Sequence, residues 1–228
     1  INACFDRMAE LESVMSRFQP ESQLSRLNQV GVLKDAHPAL VSLIQQSQKL
    51  SQLTDGAFDI TVKPLLDLYQ ASNTLPTDEQ VQATLSLVDY RKLNVDAQSV
   101  NLSQPGMSIT LDGIAKGYIV DEGTAILKEF GFTNVMVEAG GDLMALGEKN
   151  PHSPWKIGLQ APRAEMGDLM ATFNVENQAL ATSGDYMQAF TSDFVKHHII
   201  DPRSGYSSTE LASVSIAAPT VAMADGLA

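Results

Sequence analysis

The chain has one cysteine, Cys4, in 228 residues. An internal disulfide is therefore excluded, and so is a cysteine-rich metal site. A single thiol does not fix the redox compartment. Basic residues are scarce too: 15 Lys and Arg stand against 27 Asp and Glu, giving a formal net charge of −12 and a sequence pI near 4.6. That balance disfavours nucleic acid and anionic membrane surfaces as partners. No run of 18 apolar residues occurs, so nothing reads as a membrane-spanning helix. There is no Walker A loop, no GxGxxG, no internal repeat and no low-complexity tract. With 44% hydrophobic and 18% charged residues, the composition is that of an ordinary globule. It is long enough for one large domain or two small ones. The chain opens directly in a helical pattern and stops at Ala228 inside an unfinished one, so both ends are expected to be trimmed relative to the gene product.

What the chain does have is a strand, a turn and a helix around its centre, Leu111 to Gly123 (LDGIAKGYIVDEG). Ahead of it, Ile109 and Leu111 alternate with Ser108 and Thr110, the period of a half-buried strand. Asp112 offers an acceptor to orphan N–H groups, as an N-cap does. From Ile114 the apolar residues change to helical spacing (Ile114, Tyr118, Ile119, Ile126, Leu127, Phe130), and Gly131 stands where helices often end. Gly117 lies in the first helical turn, where Gly costs ~1 kcal/mol relative to Ala, so something is expected to approach the backbone closely. Lys116 sits beside free N–H groups and the positive end of the helix dipole, a combination that suits an anion. The alternative is a helix start with one surface lysine. In so acidic a chain, a phosphate ligand calls for a divalent cation as helper.

Residues 3–18 read as an amphipathic helix with Phe5, Met8, Leu11, Val14, Met15 and Phe18 on one side, ended by Pro20. The next segment, PESQLSRLN, reads as a loop in which Ser22 or Ser25 caps a short turn and Asn28 closes it. A second, half-exposed helix covers 39–53. Thr54-Asp55-Gly56 is a turn and 57–62 a short strand, with Asp59 among apolar neighbours and in need of a partner. After a polar loop over 72–78, Thr77 or Asp78 caps a helix to about Val88, and 91–103 form a hairpin. Strands follow at 134–138, 143–146, 155–159, 169–176 and 179–182, with Gly140-Gly141 supplying φ > 0 between the first two. Thr182-Ser183-Gly184-Asp185 reads as a break whose hydroxyls and amides could hold phosphate oxygens, or as a simple turn. A strand over 194–200 puts His197 and His198 on opposite faces, so the two cannot chelate one ion. Asp201 to Gly205 is a tight turn in which Arg203 partners Asp201. A last strand covers 211–217, and Pro219-Thr220 open a helix that contains Asp225. Without regular βαβ alternation, the expected fold class is α+β rather than a doubly wound sheet.

Seven blocks follow one another: MSRFQPESQLSRLN (15–28), TDGAFDITV (54–62), LDGIAKGYIVD (111–121), EAGGDL (138–143), ATSGDY (181–186), HHIIDPRSG (197–205) and APTVAMADGLA (218–228). In that order they resemble the ApbE family of flavin transferases, over nearly the whole chain. The resemblance implies one domain over 1–228 with a T-fold-related α+β architecture: a mixed sheet, packed helices and an FAD cleft between sub-lobes. It also implies Mg²⁺-dependent transfer of FMN from FAD to a Ser or Thr hydroxyl of a target protein, with AMP as leaving group. Family targets include subunits of membrane redox complexes, and the family works largely in the periplasm or cell envelope. Some relatives instead hydrolyse FAD to FMN and AMP. A flavin-binding protein without turnover is the competing reading from another class.

The resemblance also implies roles for single residues. Met15, Ala57, Phe58 and Asp59 match FAD-contacting positions, and Asn28 a position near the nucleotide. Lys116 matches a residue that contacts FAD, and Gly113 one whose main-chain carbonyl binds the metal. Asp225 matches a metal-binding carboxylate in a late ADxxxT block. His198 matches a histidine that helps the incoming hydroxyl, with Ile199 beside it at the cofactor, and Ser183 and Gly184 match a family loop. A hard ion would then take its oxygens from Gly113, Asp225 and substrate phosphates, while His198, with an unperturbed pKa of about 6.5, accepts the proton. Three departures stand out. Many relatives carry Asp where Thr110 stands and Gly or Ser where Asp112 stands, which makes Asp112 the candidate substitute. Ala228 occupies a position often held by a second acid. The family's threonine, expected one residue later to complete the metal site, would follow Ala228. Separately, the family's acceptor motif, Asp-x-x-Ser/Thr-Gly-Ala-Ser/Thr, does not occur in this sequence, which argues against self-flavinylation.

Overall fold

A computed structural model describes residues 1–71, 74–163 and 168–228. Its helices are α1 (Asn2–Met15), α2 (Gln23–Val30), α3 (Pro38–Leu53), α4 (Lys63–Gln70), α5 (Asp78–Leu85), α6 (Ala115–Glu129) and α7 (Val221–Leu227). Its strands are β1 (Val32–Lys34), β2 (Leu93–Val95), β3 (Ser99–Leu102), β4 (Val135–Ala139), β5 (Asp142–Leu146), β6 (Trp155–Gln160), β7 (Leu169–Val175), β8 (Gln178–Gly184) and β9 (Ser213–Ala218). The architecture is α+β, with the expected mixed sheet resolved into separate antiparallel sheets. The described residues fall into two compact units. One holds Ile1–Ala9, Lys116–Met187 and Leu211–Ala228; the other holds Glu10–Ala115 and Gln188–Glu210.

The first unit is built on a sheet of order β4-β5-β8-β9. Gly140 and Gly141 join β4 to β5 with φ of 57° and 95°, the paired positive values that a two-residue hairpin turn requires. Val120 of α6 and Val221 and Ala224 of α7 bury against Met144, Ala179, Ala181 and Ala218. The small residues let α7 lie close on β8 and β9. A second ladder, β6 with β7, packs Trp155 and Ile157 against Leu143, Ala145 and Val175.

The second unit carries the sheet β1-β3-β2 and helix α3. Pro38 starts α3, a position where its missing N–H costs nothing. Eight residues of α3, Leu40, Leu43 and Ile44 among them, are buried, so this helix is more of a core element than its Gln and Ser content implies. Leu65, Tyr69, Val81 and Ile200 form another core cluster, with Tyr69 stacked on Phe190 at 5.5 Å. The capped helix from Thr77 (a capping box with Gln80), the hairpin within 91–103 and the Gly131 helix end are all present. So is the Asp201–Gly205 turn, where Arg203 donates to both Asp201 oxygens at 2.9 and 2.8 Å.

Several elements differ from expectation, each for a local reason. In α1 the buried residues are Cys4, Leu11 and Met15, while Phe5 and Phe18 are exposed. PESQLSRLN is not a loop: Ser22 caps α2 by accepting from Ser25 N–H, and Leu24 and Leu27 anchor it. The expected strand at 57–62 is a 3₁₀ turn over Ile60–Val62, because Asp59 accepts from Thr61 N–H and so caps a helical start that Pro64 continues. Ser108–Leu111, expected as a strand, belongs to no strand or helix. β8 runs on through Ser183 and Gly184, which pair with Val214 and Ser213, so the expected break there is strand. Residues 194–200 form no continuous strand, since Phe194 takes φ of 61° and only His197 and Ile200 make isolated bridges, to Ala189 and Ser207. Part of the polar loop expected over 72–78 lies outside the described residues.

Candidate active site

The start of α6 is held from α7. Gly117 N–H, which a continuing helix would send four residues back, donates instead to Oδ2 of Asp225 at 3.0 Å. In the reverse sense, Asp121 Oδ1 accepts from Val221 N–H at 2.8 Å and Oδ2 from Ala222 N–H at 2.9 Å. Each helix thus lends a carboxylate to the other's first turn, and the paired residues run in opposite directions along the two helices. Burial pushes the Asp121 carboxyl above the usual carboxylate range, and the two amides pull it back in part. A Cβ on Gly117 would lie 2.5 Å from the Val221 carbonyl oxygen and 2.7 Å from Ala222 N. The close approach expected at Gly117 is real, and the approaching group is the α7 backbone.

Lys116 precedes Gly117 and is not a solitary cation. Its Nζ lies 2.9 Å from Oδ2 of Asp142 and donates to the Gly140 carbonyl at 3.3 Å. Asp142 is buried at the start of β5, and its Oδ2 has this ion pair but no aligned hydrogen bond. Oδ1 receives Thr182 N–H at 3.4 Å. The Gly140-Gly141 hairpin, steadied by Gly141 N–H on Glu138 at 2.6 Å, carries the lysine's partners. Asp121 and Asp142 were not among the sequence candidates. For Asp121 the signal was its spacing: four residues after Gly117, it shares that helix face.

Within the second unit, several sequence candidates meet around Ile109 to Gly113. Asn28 donates Nδ2–H to the Ile109 carbonyl at 2.8 Å and accepts Ile109 N–H at 2.7 Å, doing for this segment what a neighbouring strand would. Thr110 N–H donates to the Ile60 carbonyl at 2.8 Å. Phe58 lies 3.6 Å from where a Gly113 side chain would begin. Ala57 is exposed at the turn before it. Asp59 is buried with both oxygens engaged: Oδ1 by Thr61 N–H and hydroxyl, Oδ2 by Tyr90 N–H. Burial pushes its carboxyl upward, partly offset by those bonds. Met15 is buried, as a core side chain is. Asp112 does not cap α6; its carboxylate takes Arg17 Nε at 2.6 Å, and its own N–H donates to the Thr110 hydroxyl.

The two histidines differ sharply. His197 is 1% exposed, its Nδ1 accepts from Ile199 N–H at 3.3 Å and its Nε2 faces the Ser208 carbonyl at 2.6 Å. Those partners require the neutral Nε2–H tautomer and a structural role. His198 is half-buried, and its Nδ1 faces the Gln188 carbonyl at 3.3 Å. A carbonyl only accepts, so Nδ1 is the donor in that contact. Ser183 and Gly184 sit within the β8–β9 ladder, and Asp185 after them receives Arg163 through two bonds of 2.7 and 2.6 Å. Among the described residues, no three His, Cys, Asp or Glu side chains come together as a metal cage.

The ApbE family model matches residues 1–228. The FAD:protein FMN transferase of Vibrio cholerae serotype O1 is 31% identical over 233 residues, spanning 97% of this chain and 69% of that protein. A FAD:protein FMN transferase of Klebsiella pneumoniae is 33% identical over 224 residues, spanning 93% of this chain and 68% of its own. Among solved structures, the ApbE protein of Thermotoga maritima is similar with a TM-score of 0.90 at 32% identity, covering 99% of this chain and 75% of the other. The flavin transferase ApbE from Vibrio cholerae follows with a TM-score of 0.86 at 27% identity and the same coverage. A match from the first residue to the last, with relatives above 30% identity and the same fold, has one meaning: this chain belongs to the ApbE family.

Proposed function

We propose that this chain is a flavin transferase that moves FMN from FAD to a Ser or Thr hydroxyl of an acceptor protein. The span 1–228 works as a single transferase domain that takes FAD as its substrate. The acceptor is a subunit of a membrane redox complex, and the site of action is the periplasm or cell envelope. The observation that carries the reading is the start of α6. There Lys116, a cationic side chain held by Asp142, stands next to Gly117, whose N–H holds the Asp225 carboxylate of α7. Phosphoryl transfer draws most of its rate from positioning and charge neutralisation, and this turn supplies both elements.

The hydroxyl oxygen bonds to the FMN phosphorus as the bond to the bridging oxygen breaks, and AMP leaves with that oxygen. His198 takes the hydroxyl proton. The proposed ligands, the Asp225 carboxylate and the Gly113 carbonyl, offer oxygens, which suits Mg²⁺ better than a softer metal. Asp225 would hold Mg²⁺, and the Gly113 carbonyl is the second proposed ligand. When bound, the ion supplies charge neutralisation at the diphosphate. Asn28 holds the 109–113 segment through its two bonds to Ile109, and Asn28, Met15, Ala57, Phe58, Asp59, Ile199, Ser183 and Gly184 are proposed FAD neighbours.

Quantifying AMP and free FMN from FAD and Mg²⁺, with and without an acceptor domain bearing Asp-x-x-Ser/Thr-Gly-Ala-Ser/Thr, tests this. AMP release that depends on acceptor, without free FMN, is expected. Equal release without acceptor would instead make the chain an FAD pyrophosphatase. Bound FAD with no AMP under either condition would leave a flavin-binding protein.

A further inference from the structure

The carboxylate that matters for the cation has a keeper elsewhere in the fold. Asp225 lies in α7, a helix of seven residues, Val221–Leu227, too short to hold itself in water. Two devices secure its start. Thr220 caps it locally, its hydroxyl accepting Met223 N–H at 3.2 Å. Asp121 ties it to α6, each carboxylate oxygen taking one of the first two α7 amides. The residues tied, Val221 and Ala222, precede Asp225 by about one turn, so any rotation or slide of α7 at its start moves the Asp225 carboxylate directly. The other end of the clasp is Asp225 itself, on Gly117 N–H.

We propose that Asp121 is a positioning residue: through Val221 and Ala222 it fixes the α7 helix so that Asp225 presents its carboxylate to the divalent cation. Two features separate this from ordinary helix packing. Amide N–H groups at a helix start donate to a charged acceptor, and such bonds are strong and directional. The helices also meet backbone to backbone at Gly117, so α7 has one seating rather than a range of them. The proposal rests on the reading of Asp225 as a metal carboxylate, and the test keeps the two apart.

Mg²⁺ is titrated calorimetrically into FAD-loaded protein, without acceptor, for wild type and for Asp121→Ala, Asp121→Asn, Thr220→Ala and Asp225→Ala. Asp121→Ala is expected to weaken Mg²⁺ binding about tenfold or more, the usual effect of losing a residue that orients a ligand. Asp121→Asn retains one acceptor oxygen and falls between it and wild type. Thr220→Ala lowers thermal stability but leaves Mg²⁺ affinity at the wild-type value, because the tie to α6 survives. Should Asp225→Ala bind Mg²⁺ normally, the metal assignment itself fails. Should Asp225→Ala lose Mg²⁺ while folded Asp121→Asn matches Thr220→Ala, the positioning role is overturned. If Asp121→Ala does not fold, the Asp121→Asn comparison decides alone.

Discussion

Replacing Gly117 with Ala is the sharpest structural test, because two explanations of this glycine predict opposite signs. If Gly117 were an ordinary helix residue, alanine would stabilise the chain by about 1 kcal/mol through helix propensity. The structure instead places the new methyl 2.5 Å from the Val221 carbonyl oxygen, 2.6 Å from its carbon and 2.7 Å from Ala222 N. These are main-chain atoms and cannot turn aside as a side-chain tip can. Overpacking of this kind costs about 1–3 kcal/mol. Relieving it by sliding α7 would stretch the two Asp121 bonds and the Gly117–Asp225 bond, hydrogen bonds to charged groups worth about 1.5–3 kcal/mol each. Setting the propensity gain against one weakened bond and the clash leaves a net loss of about 2–4 kcal/mol. For a chain of this length that is a fall of roughly 4–16 °C in Tm, at 2–4 °C per kcal/mol. Gly113→Ala is the control: its methyl would sit 3.6 Å from Phe58, an ordinary contact, so Tm should move little. A Gly117→Ala protein as stable as wild type, or more so, would refute the account of how α6 and α7 meet.

Asn28→Ala should remove both bonds to Ile109 and cost about 1–3 kcal/mol, and amide exchange at Ile109 should lose its protection. Lys116→Met leaves the buried Asp142 carboxylate without its ion pair; since the lysine is partly exposed, a loss of about 1–2 kcal/mol is expected. Adding Asp142→Asn should restore part of it in a double-mutant cycle. The Arg203 guanidinium holds the Asp201 carboxyl below its ordinary range. A depressed carboxyl contributes stability above its unfolded-state pKa and loses it as pH falls through the folded-state value. The stability advantage of wild type over Arg203→Met should therefore be full near neutrality and shrink below the usual carboxylate range, as read by denaturant titration at stepped pH.

The parts of this fold that local chemistry dictates were legible in the sequence. Thr77 with Gln80, Gly131, the Gly140-Gly141 turn and Asp201 with Arg203 each solve a local backbone problem with residues a few positions apart. Misreadings came where a polar side chain rewrote the backbone pattern. Asp59 turned an apparent strand into a 3₁₀ start by accepting Thr61 N–H, and Phe194 at positive φ broke another. Asn28 stood in for a missing strand beside Ile109, a bond spanning 81 residues that no periodicity reveals. At the site, Lys116, Gly117 and Asp225 were visible as candidates. Their partners Asp142 and Asp121 were not, because an ion pair with a buried hairpin acid and a clasp between helices about 100 residues apart are tertiary facts.

The central claim is that FAD is cleaved here so that its FMN half ends on another protein. Intact mass spectrometry of an acceptor domain, incubated with FAD, Mg²⁺ and either wild type or Asp225→Ala, tests it most directly. The account predicts that wild type makes the acceptor heavier by one FMN unit on a single Ser or Thr, and that Asp225→Ala does not. An unchanged acceptor mass with wild type, or equal modification by Asp225→Ala, would contradict it.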